Sequence, residues 1–316
     1  MKKEIEPINK TFNKVFRYNH LTVGIMLPIE SYSGAIPSLN YHIEMAKMAE
    51  DVGFSALWLR DVPLLDPSFG DGGQLFDPWI YLGFLAATTK SIALGTSSIV
   101  CPLRHPIHIA KSAFSLDILS HQRFIMGVAS GDRPVEYPAF AKDFEGRYDV
   151  FRMGFEYFNS LSSAYPNYSD HLGMMNGTVD LLPKPLSFKI PKLVTGYSGQ
   201  TLEWIATHSD GWLYYPRSLT YQESFVKAWH DSLQKTGASY VKPFAQSLYI
   251  DLAADEDYKP QPIHLGYKLG VNWLMEILNR LQEMHVNHVI INLKYGQRPA
   301  EHVVEELGRK ITCHFK

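Results

Sequence analysis

Residues 92–131 restrict the fold more than any other part of the chain, because they read as strand, helix, strand with no polar alternation in either strand. The stretch opens on Ile92-Ala93-Leu94-Gly95-Thr96-Ser97-Ser98-Ile99-Val100 and is stopped by Cys101-Pro102-Leu103-Arg104-His105-Pro106. Ile109, Ala113, Leu116 and Leu119 then recur at spacings of three and four, the period of one helix face. It closes on Phe124-Ile125-Met126-Gly127-Val128-Ala129-Ser130-Gly131. Strands apolar on both faces are buried on both faces, which points to a parallel sheet crossed by helices. Small residues at both strand ends would admit a flat ligand close to the backbone.

The same alternation extends in both directions. Residues 1–20 read as a surface lead-in to a single domain over 21–316. Strands are predicted over 21–27, 56–59, 92–100, 124–131, 192–195, 211–215, 244–252 and 288–293. Helices are predicted over about 38–51, 77–89, 147–161, 201–208, 221–235, 267–284 and 300–311, besides the one inside the opening unit. Asp77-Pro78 is the N-cap and N1 pair a helix favours, and Gly53 is a helix stop. A loop over 62–76 contains Phe69-Gly70-Asp71-Gly72-Gly73-Gln74, and a break falls at 255–262. Residues 132–190 form an irregular insertion after strand four. Eight strands, each followed by a helix, predict a (β/α)₈ TIM barrel. The rival, a doubly wound open sheet, usually declares itself by GxGxxG after strand one, where this chain has Leu27-Pro28-Ile29-Glu30.

Charge narrows the partners. The chain has 30 basic and 32 acidic residues, a formal net charge of -2, and no long run of either sign. Neither nucleic acid nor an anionic membrane is an expected partner. Cys101 and Cys313 lie outside any CxxC pattern, which supports neither zinc nor a disulfide framework, so a reducing cytoplasm is the expected location. The first twenty residues lack the apolar core of a signal peptide, and no segment reads as a membrane span.

In a barrel, reactive groups come from strand C-termini and the loops beyond them. Those ends supply Arg60, Asp61, Ser97, Ser98, Arg104 and His105, then Ala129, Ser130, Asp132 and Arg133. Gly196, Tyr197, Ser198, Tyr214, Tyr215, Arg217, Lys294 and Tyr295 follow. Asp61 and His105 have no third ligand beside them, so no metal is expected. Ser130 lacks the GxSxG setting of a nucleophile elbow. Gly196-Tyr197-Ser198-Gly199-Gln200-Thr201 precedes a helix, where free backbone N–H groups, two hydroxyls and the helix dipole form either a phosphate site or an ordinary capped turn. Arg147 is a cation suited to close on such a phosphate, or else a surface ion-pair partner.

At Leu94 to Pro106 the sequence resembles the luciferase-like flavin monooxygenase superfamily. The similarity continues through Ser115-Leu116-Asp117-Ile118-Leu119-Ser120-His121-Gln122-Arg123-Phe124 and Gly127-Val128-Ala129-Ser130-Gly131. It also includes Gly53-Phe54-Ser55-Ala56-Leu57-Trp58-Leu59 and His208-Ser209-Asp210-Gly211-Trp212. The resemblance implies a (β/α)₈ barrel binding FMN or the deazaflavin F420, often as a homodimer, with an insertion after strand four. It places Ser97-Ser98 at a non-prolyl cis peptide beneath the flavin ring and Ala129 and Ser130 along the ring. Arg147, Ser198 and Thr201 fall at phosphate contacts, with Gly196, Gly199 and Gln200 in the same loop. Two departures matter. Bacterial luciferase has a catalytic histidine after strand two, where this chain reads Arg60-Asp61-Val62-Pro63, and its active-site cysteine corresponds to Ala129. Asp61 either takes over as acid or base or forms a structural ion pair with Arg60.

The implied function is an FMN-dependent monooxygenase that uses reduced flavin and O₂ on a small organic substrate. Arg60, Asp61, Arg104, His105 and Asp132 are the candidates for substrate handling. NAD(P)H or a separate flavin reductase would supply electrons, and the apolar helix near 79–87 a dimer interface. F420-linked hydride transfer, a non-catalytic flavin binder and a flavin-free hydrolase stay open as alternatives.

Overall fold

The computed structural model describes residues 2–70, 72–187 and 189–315; Asp71 of the predicted 62–76 loop lies outside them. Eight strands form its centre: β1 (Thr22–Met26), β2 (Ala56–Leu59), β3 (Ala93–Thr96), β4 (Phe124–Ala129), β5 (Lys192–Thr195), β6 (Gly211–Tyr214), β7 (Phe244–Leu252) and β8 (His288–Asn292). All neighbours pair in parallel and in chain order, and β8 pairs with β1, which closes an eight-stranded barrel. Around it run α1 (His42–Asp51), α2 (Pro78–Thr88), α3 (Pro106–Leu119), α4 (Arg147–Ser160), α5 (Leu202–His208), α6 (Leu219–Lys235), α7 (Val271–Glu283) and α8 (Ala300–Leu307). The predicted TIM barrel is therefore the fold.

Closure explains why the strands are apolar throughout. One set of side chains, including Leu57, Leu94, Phe124 and Val194, packs outward against the helices. The alternate set, including Met26, Ala56, Trp58, Ala93, Ile125 and Leu213, fills the interior. Trp58 dominates that interior, and its neighbours must shrink to admit it. A Cβ on Gly95 would lie 2.4 Å from the indole, and one on Gly24 would lie 2.6 Å from Nε2 of His288. Trp58 Nε1–H donates to His288 Nε2 at 2.9 Å. The Thr22 hydroxyl gives its one proton to the Val15 carbonyl (2.7 Å), so it accepts from His288 Nδ1 (2.7 Å). His288 is thus neutral with its proton on Nδ1, and burial lowers its pKa to about 3.

The expected surface lead-in instead seals the base of the barrel. Lys2–Ile5 pairs in parallel with Tyr240–Val241, and the short helix Lys10–Val15, capped by Asn9, buries Phe12 and Val15 against the interior set, with Phe16 just after it. A six-residue helix offers too little periodicity to stand out from sequence.

Two further boundaries moved. The strand predicted over 92–100 breaks after Thr96 at the cis peptide Ser97-Ser98 and resumes as Ile99–Val100. The helix predicted from 267 starts at Val271, because Gly266–Leu269 is a strand. β7 outruns β8, with their pairing ending at Tyr249 and Asn292, and Gly266–Leu269 covers the remaining edge of β7 while pairing back on Gln261–Ile263. Between β4 and β5 lie the short helix Glu136–Ala139, α4 and the hairpin Asn167–Asp170/Gly173–Asn176.

The buried imidazole gives stability a pH dependence of known sign. Unfolded His288 takes up a proton below about pH 6.5, whereas the folded residue resists it down to about 3. Its contribution is present above pH 6.5 and is lost at about 1.4 kcal/mol per pH unit as the pH falls through that window. Urea unfolding at a series of pH values should show this slope, and His288→Gln should lack it.

Candidate functional site

The C-terminal ends of the strands surround a cavity of 720 Å³. Met26 and Leu213, which also belong to the interior set, form its floor. Above them the strand ends carry small side chains: Ser97 and Ser98 after β3, Ala129 and Ser130 at the end of β4, and Thr195 at the end of β5. Ser97 N donates to Leu59 O (2.6 Å), and Thr96 Oγ1 to Gly127 O (2.8 Å). The Ser98 and Thr195 hydroxyls are hydrogen-bonded to each other.

One end of the cavity is a cation and a loop. Gly196, Ser198 and Gly199 line it together with Arg147. Ser198 has φ +49°, and its hydroxyl donates to Thr195 O (2.9 Å) and accepts from Ser130 N (3.2 Å), which joins the β5 loop to the end of β4. Gly199 has φ +73°, and a Cβ there would lie 2.1 Å from Tyr148, so only glycine fits. Arg147 lies over the rings of Phe144 (3.5 Å) and Tyr148 (4.0 Å) and donates to Phe144 O (2.7 Å) and Gly131 O (3.3 Å). Its Nη2 also donates to the Tyr148 hydroxyl (2.5 Å), and among the described residues it has no acidic partner. Gln200 and Thr201 do not line the cavity. Gln200 Nε2 donates to Tyr148 O (3.0 Å), and Thr201 Oγ1 accepts from Trp204 N (3.1 Å) as the N-cap of α5.

The group weighed as acid or base at Asp61 is committed to structure. Its side chain is 0% exposed and accepts from Val100 N (3.1 Å) and from Arg104 Nε (3.1 Å) and Nη2 (2.9 Å). The ion-pair partner is therefore Arg104, not the adjacent Arg60. Arg104 also reaches Asp77 (3.1 Å), the N-cap of α2. Burial alone would lower the Arg104 pKa, but the bonds and charges of Asp61 and Asp77 outweigh it and raise it. His105 turns away from the cavity: its Nδ1 accepts from Ile107 N (3.2 Å) as the cap of α3, and its Nε2 donates to Leu172 O (2.8 Å). Arg60, Asp61 and Asp132 line the cavity, Asp61 with its carboxylate taken up by Arg104 and Val100 N.

Tyr249 and His264 are cavity residues that the sequence did not single out. Glu136 is 3% exposed, and burial pushes its carboxyl pKa up. It stands 3.7 Å from Arg133, which lies 4.1 Å over the ring of Phe69. Tyr215, Tyr249, His264 and Tyr295 also line the cavity. His264 comes from the hairpin that caps β7; the nine-residue length of that strand was the available signal.

The sequence model for the luciferase-like monooxygenases matches residues 21–257, three quarters of the chain. The chain belongs to this family. An uncharacterized protein of Mycobacterium tuberculosis is 30% identical over 286 residues, covering 85% of this chain and 93% of its own. The alkanal monooxygenase alpha chain of Photorhabdus luminescens is 26% identical over 172 residues, 54% of this chain and 46% of that one. Among solved structures, the monooxygenase RslO1 of Streptomyces bottropensis superposes with a TM-score of 0.77 at 16% identity, covering 93% and 100% of the two chains. An F420-dependent secondary alcohol dehydrogenase gives 0.74 at 16% identity, covering 92% and 98%. The FMN complex of the 3,6-diketocamphane monooxygenase oxygenating constituent from Pseudomonas putida gives 0.74 at 12%, covering 94% and 99%. At such identities the structural likeness speaks to the fold, and the luciferase-like family membership to an oxidoreductase.

The Asp61–Arg104 pair is testable as a structural element of this luciferase-like site. Arg104→Met leaves a buried carboxylate without its cation and should cost about 3 kcal/mol in urea unfolding. The double variant Asp61→Leu/Arg104→Met should recover a large part of that loss.

Proposed function

We propose that this luciferase-like protein is an FMN-dependent monooxygenase that acts with reduced FMN and O₂ on a small organic substrate. The observation that carries the reading is one cavity with an arginine that has no acidic partner among the described residues and the Gly196–Gly199 loop at one end, and small strand-end side chains beside them. Its 720 Å³ fits the range of roughly 300–1,000 Å³ typical of cofactor and small-molecule sites.

In this reading Arg147 and Ser198, with the backbone of 196–199, hold the phosphate through charge-assisted hydrogen bonds. Ser97, Ser98, Ala129 and Ser130 support the ring, where small side chains leave room for a flat body. Bound FMN would supply the two-electron chemistry with O₂ that no side chain of the chain can perform. Arg60, Asp132, Arg133 and Glu136 line the substrate side, and burial raises the pKa of the Glu136 carboxyl above the usual carboxylate range. The Asp61–Arg104 pair fixes the ends of β2 and β3 at the cavity wall. NAD(P)H or a separate flavin reductase is the proposed source of electrons. A homodimer is supported by α2, whose Ile80 and Phe84 are 75% and 50% exposed.

The decisive residue is Arg147. Its replacement by alanine should weaken FMN binding, measured by fluorescence titration, by about 1.5–3 kcal/mol, as loss of charged hydrogen bonds to a phosphate requires. Riboflavin, which has no phosphate, should bind the wild type and Arg147→Ala alike. Parallel titration with F420 separates the two flavin readings. Equal FMN affinity in wild type and variant contradicts this assignment of the phosphate end.

A further inference from the structure

Among the described residues, histidine rings meet as a pair in two places, and the pairs differ in what their nitrogens do. His105 and His108 stand 6.3 Å apart between ring centroids, and both nitrogens of His105 are already bonded, to Ile107 N and Leu172 O. His230 on α6 and His285 after α7 stand 5.6 Å apart with their planes at 55°. Nε2 of His230 is buried without a hydrogen-bond partner. His285 is placed by its backbone. It follows α7 at φ +68°, its N–H donating to Gln282 O (2.9 Å) and the Val286 N–H to Leu281 O (2.9 Å). Those paired bonds make a helix stop whose left-handed residue is usually glycine. A histidine in that position brings a ring up to α6.

The separation suits one metal ion shared by the two rings. A zinc ion about 2.05 Å from an imidazole nitrogen lies about 3.2 Å from the ring centroid, so a tetrahedral angle at the metal sets two centroids about 5.2 Å apart. The observed 5.6 Å is within about half an ångström of that value, and His285 is exposed, so its ring can adjust. Burial and the neighbouring His285 lower the His230 pKa against the pull of Asp231, which leaves its imidazole neutral with a lone pair for a metal. The surroundings attract cations. The groove between α6 and α7 reaches Met284, the residue before His285, and is lined by Glu223, Glu276 and Glu283 against the single cation Arg280, which pairs with Glu276 (2.9 Å).

We infer that His230 and His285 form a metal site for a divalent ion that prefers imidazole, such as Zn²⁺, at the end of the barrel away from the cavity. Among the described residues no third histidine, cysteine or carboxylate joins the pair, so water completes the coordination shell. The ion ties α6 to the turn between α7 and β8. The site goes beyond the proposed function and does not depend on it.

Calorimetric titration of the untagged, cofactor-free full chain with Zn²⁺ and with Mg²⁺ tests this. One Zn²⁺ should bind per chain and raise the thermal midpoint, and Mg²⁺, which prefers oxygen ligands, should bind more weakly. His230→Gln and His285→Gln should each weaken Zn²⁺ binding by about tenfold or more, since even outer-shell partners of a metal are worth that much. FMN affinity should be the same in both variants as in the wild type. His285 is exposed, so His285→Gln decides the matter if His230→Gln does not fold. No Zn²⁺ binding by the wild type, Mg²⁺ binding as tight as Zn²⁺, or Zn²⁺ affinity unchanged by His285→Gln would each overturn the inference, as would a loss confined to one of two folded variants.

Discussion

The structure depends on how the inside of a closed eight-stranded barrel is filled. Strands twisted into a barrel enclose a fixed space that side chains must occupy at near-crystalline density. Here the lower part is filled by one large residue, Trp58, which is admitted by glycines on both neighbouring strands and by its hydrogen bond to neutral His288. The N-terminal helix closes the space below with Phe12 and Val15, and Phe16 follows. The upper part is left unfilled, because serines follow β3 and β4 and β5 end in alanine and threonine rather than in large apolar groups. A rigid floor and an open top are consequences of one packing solution.

That solution also sorts the charged residues. Groups at strand ends divide into those that hold the rim together and those that remain for a ligand. Asp61, Arg104, Asp77 and His105 are spent on one another, on helix caps and on backbone groups, so they fix the spacing of β2, β3, α2 and α3. Arg147, Asp132 and Glu136 line the cavity without such a commitment, whereas Asp61 lines it with its carboxylate already paired. The cavity thus has a cationic end, a charged wall and an aromatic wall, each supplied by different strands.

Much of this was legible in the sequence, for physical reasons that differ by region. The buried parallel strands announce themselves because closure demands apolar side chains on both faces; β2, β5 and β7 fell at the predicted residues. Ser98, Ala129 and Ser198 were expected at one end of the barrel because its chemistry is confined to one face, and they line the cavity together with Arg147 at the start of α4. The partner of Asp61 was not legible, since Arg104 is 43 residues away and meets it only through the register of β2 and β3. Nor was His264: a strand of a few residues in a hairpin with polar and apolar groups on both faces resembles the start of a helix, and only its pairing to β7 defines it. The N-terminal plug was missed because six helical residues gain their order from tertiary burial, not from their own periodicity.

The central claim is that the unfilled top of the barrel holds FMN. The most direct measurement is the absorption spectrum of the purified protein, taken with the mass of the ligand released on denaturation and, where none is retained, with reconstitution by FMN and by reduced FMN. The account predicts one FMN per chain, with the protein-bound spectrum shifted from that of free flavin. A protein that remains colourless and binds neither FMN, reduced FMN nor F420 would contradict it.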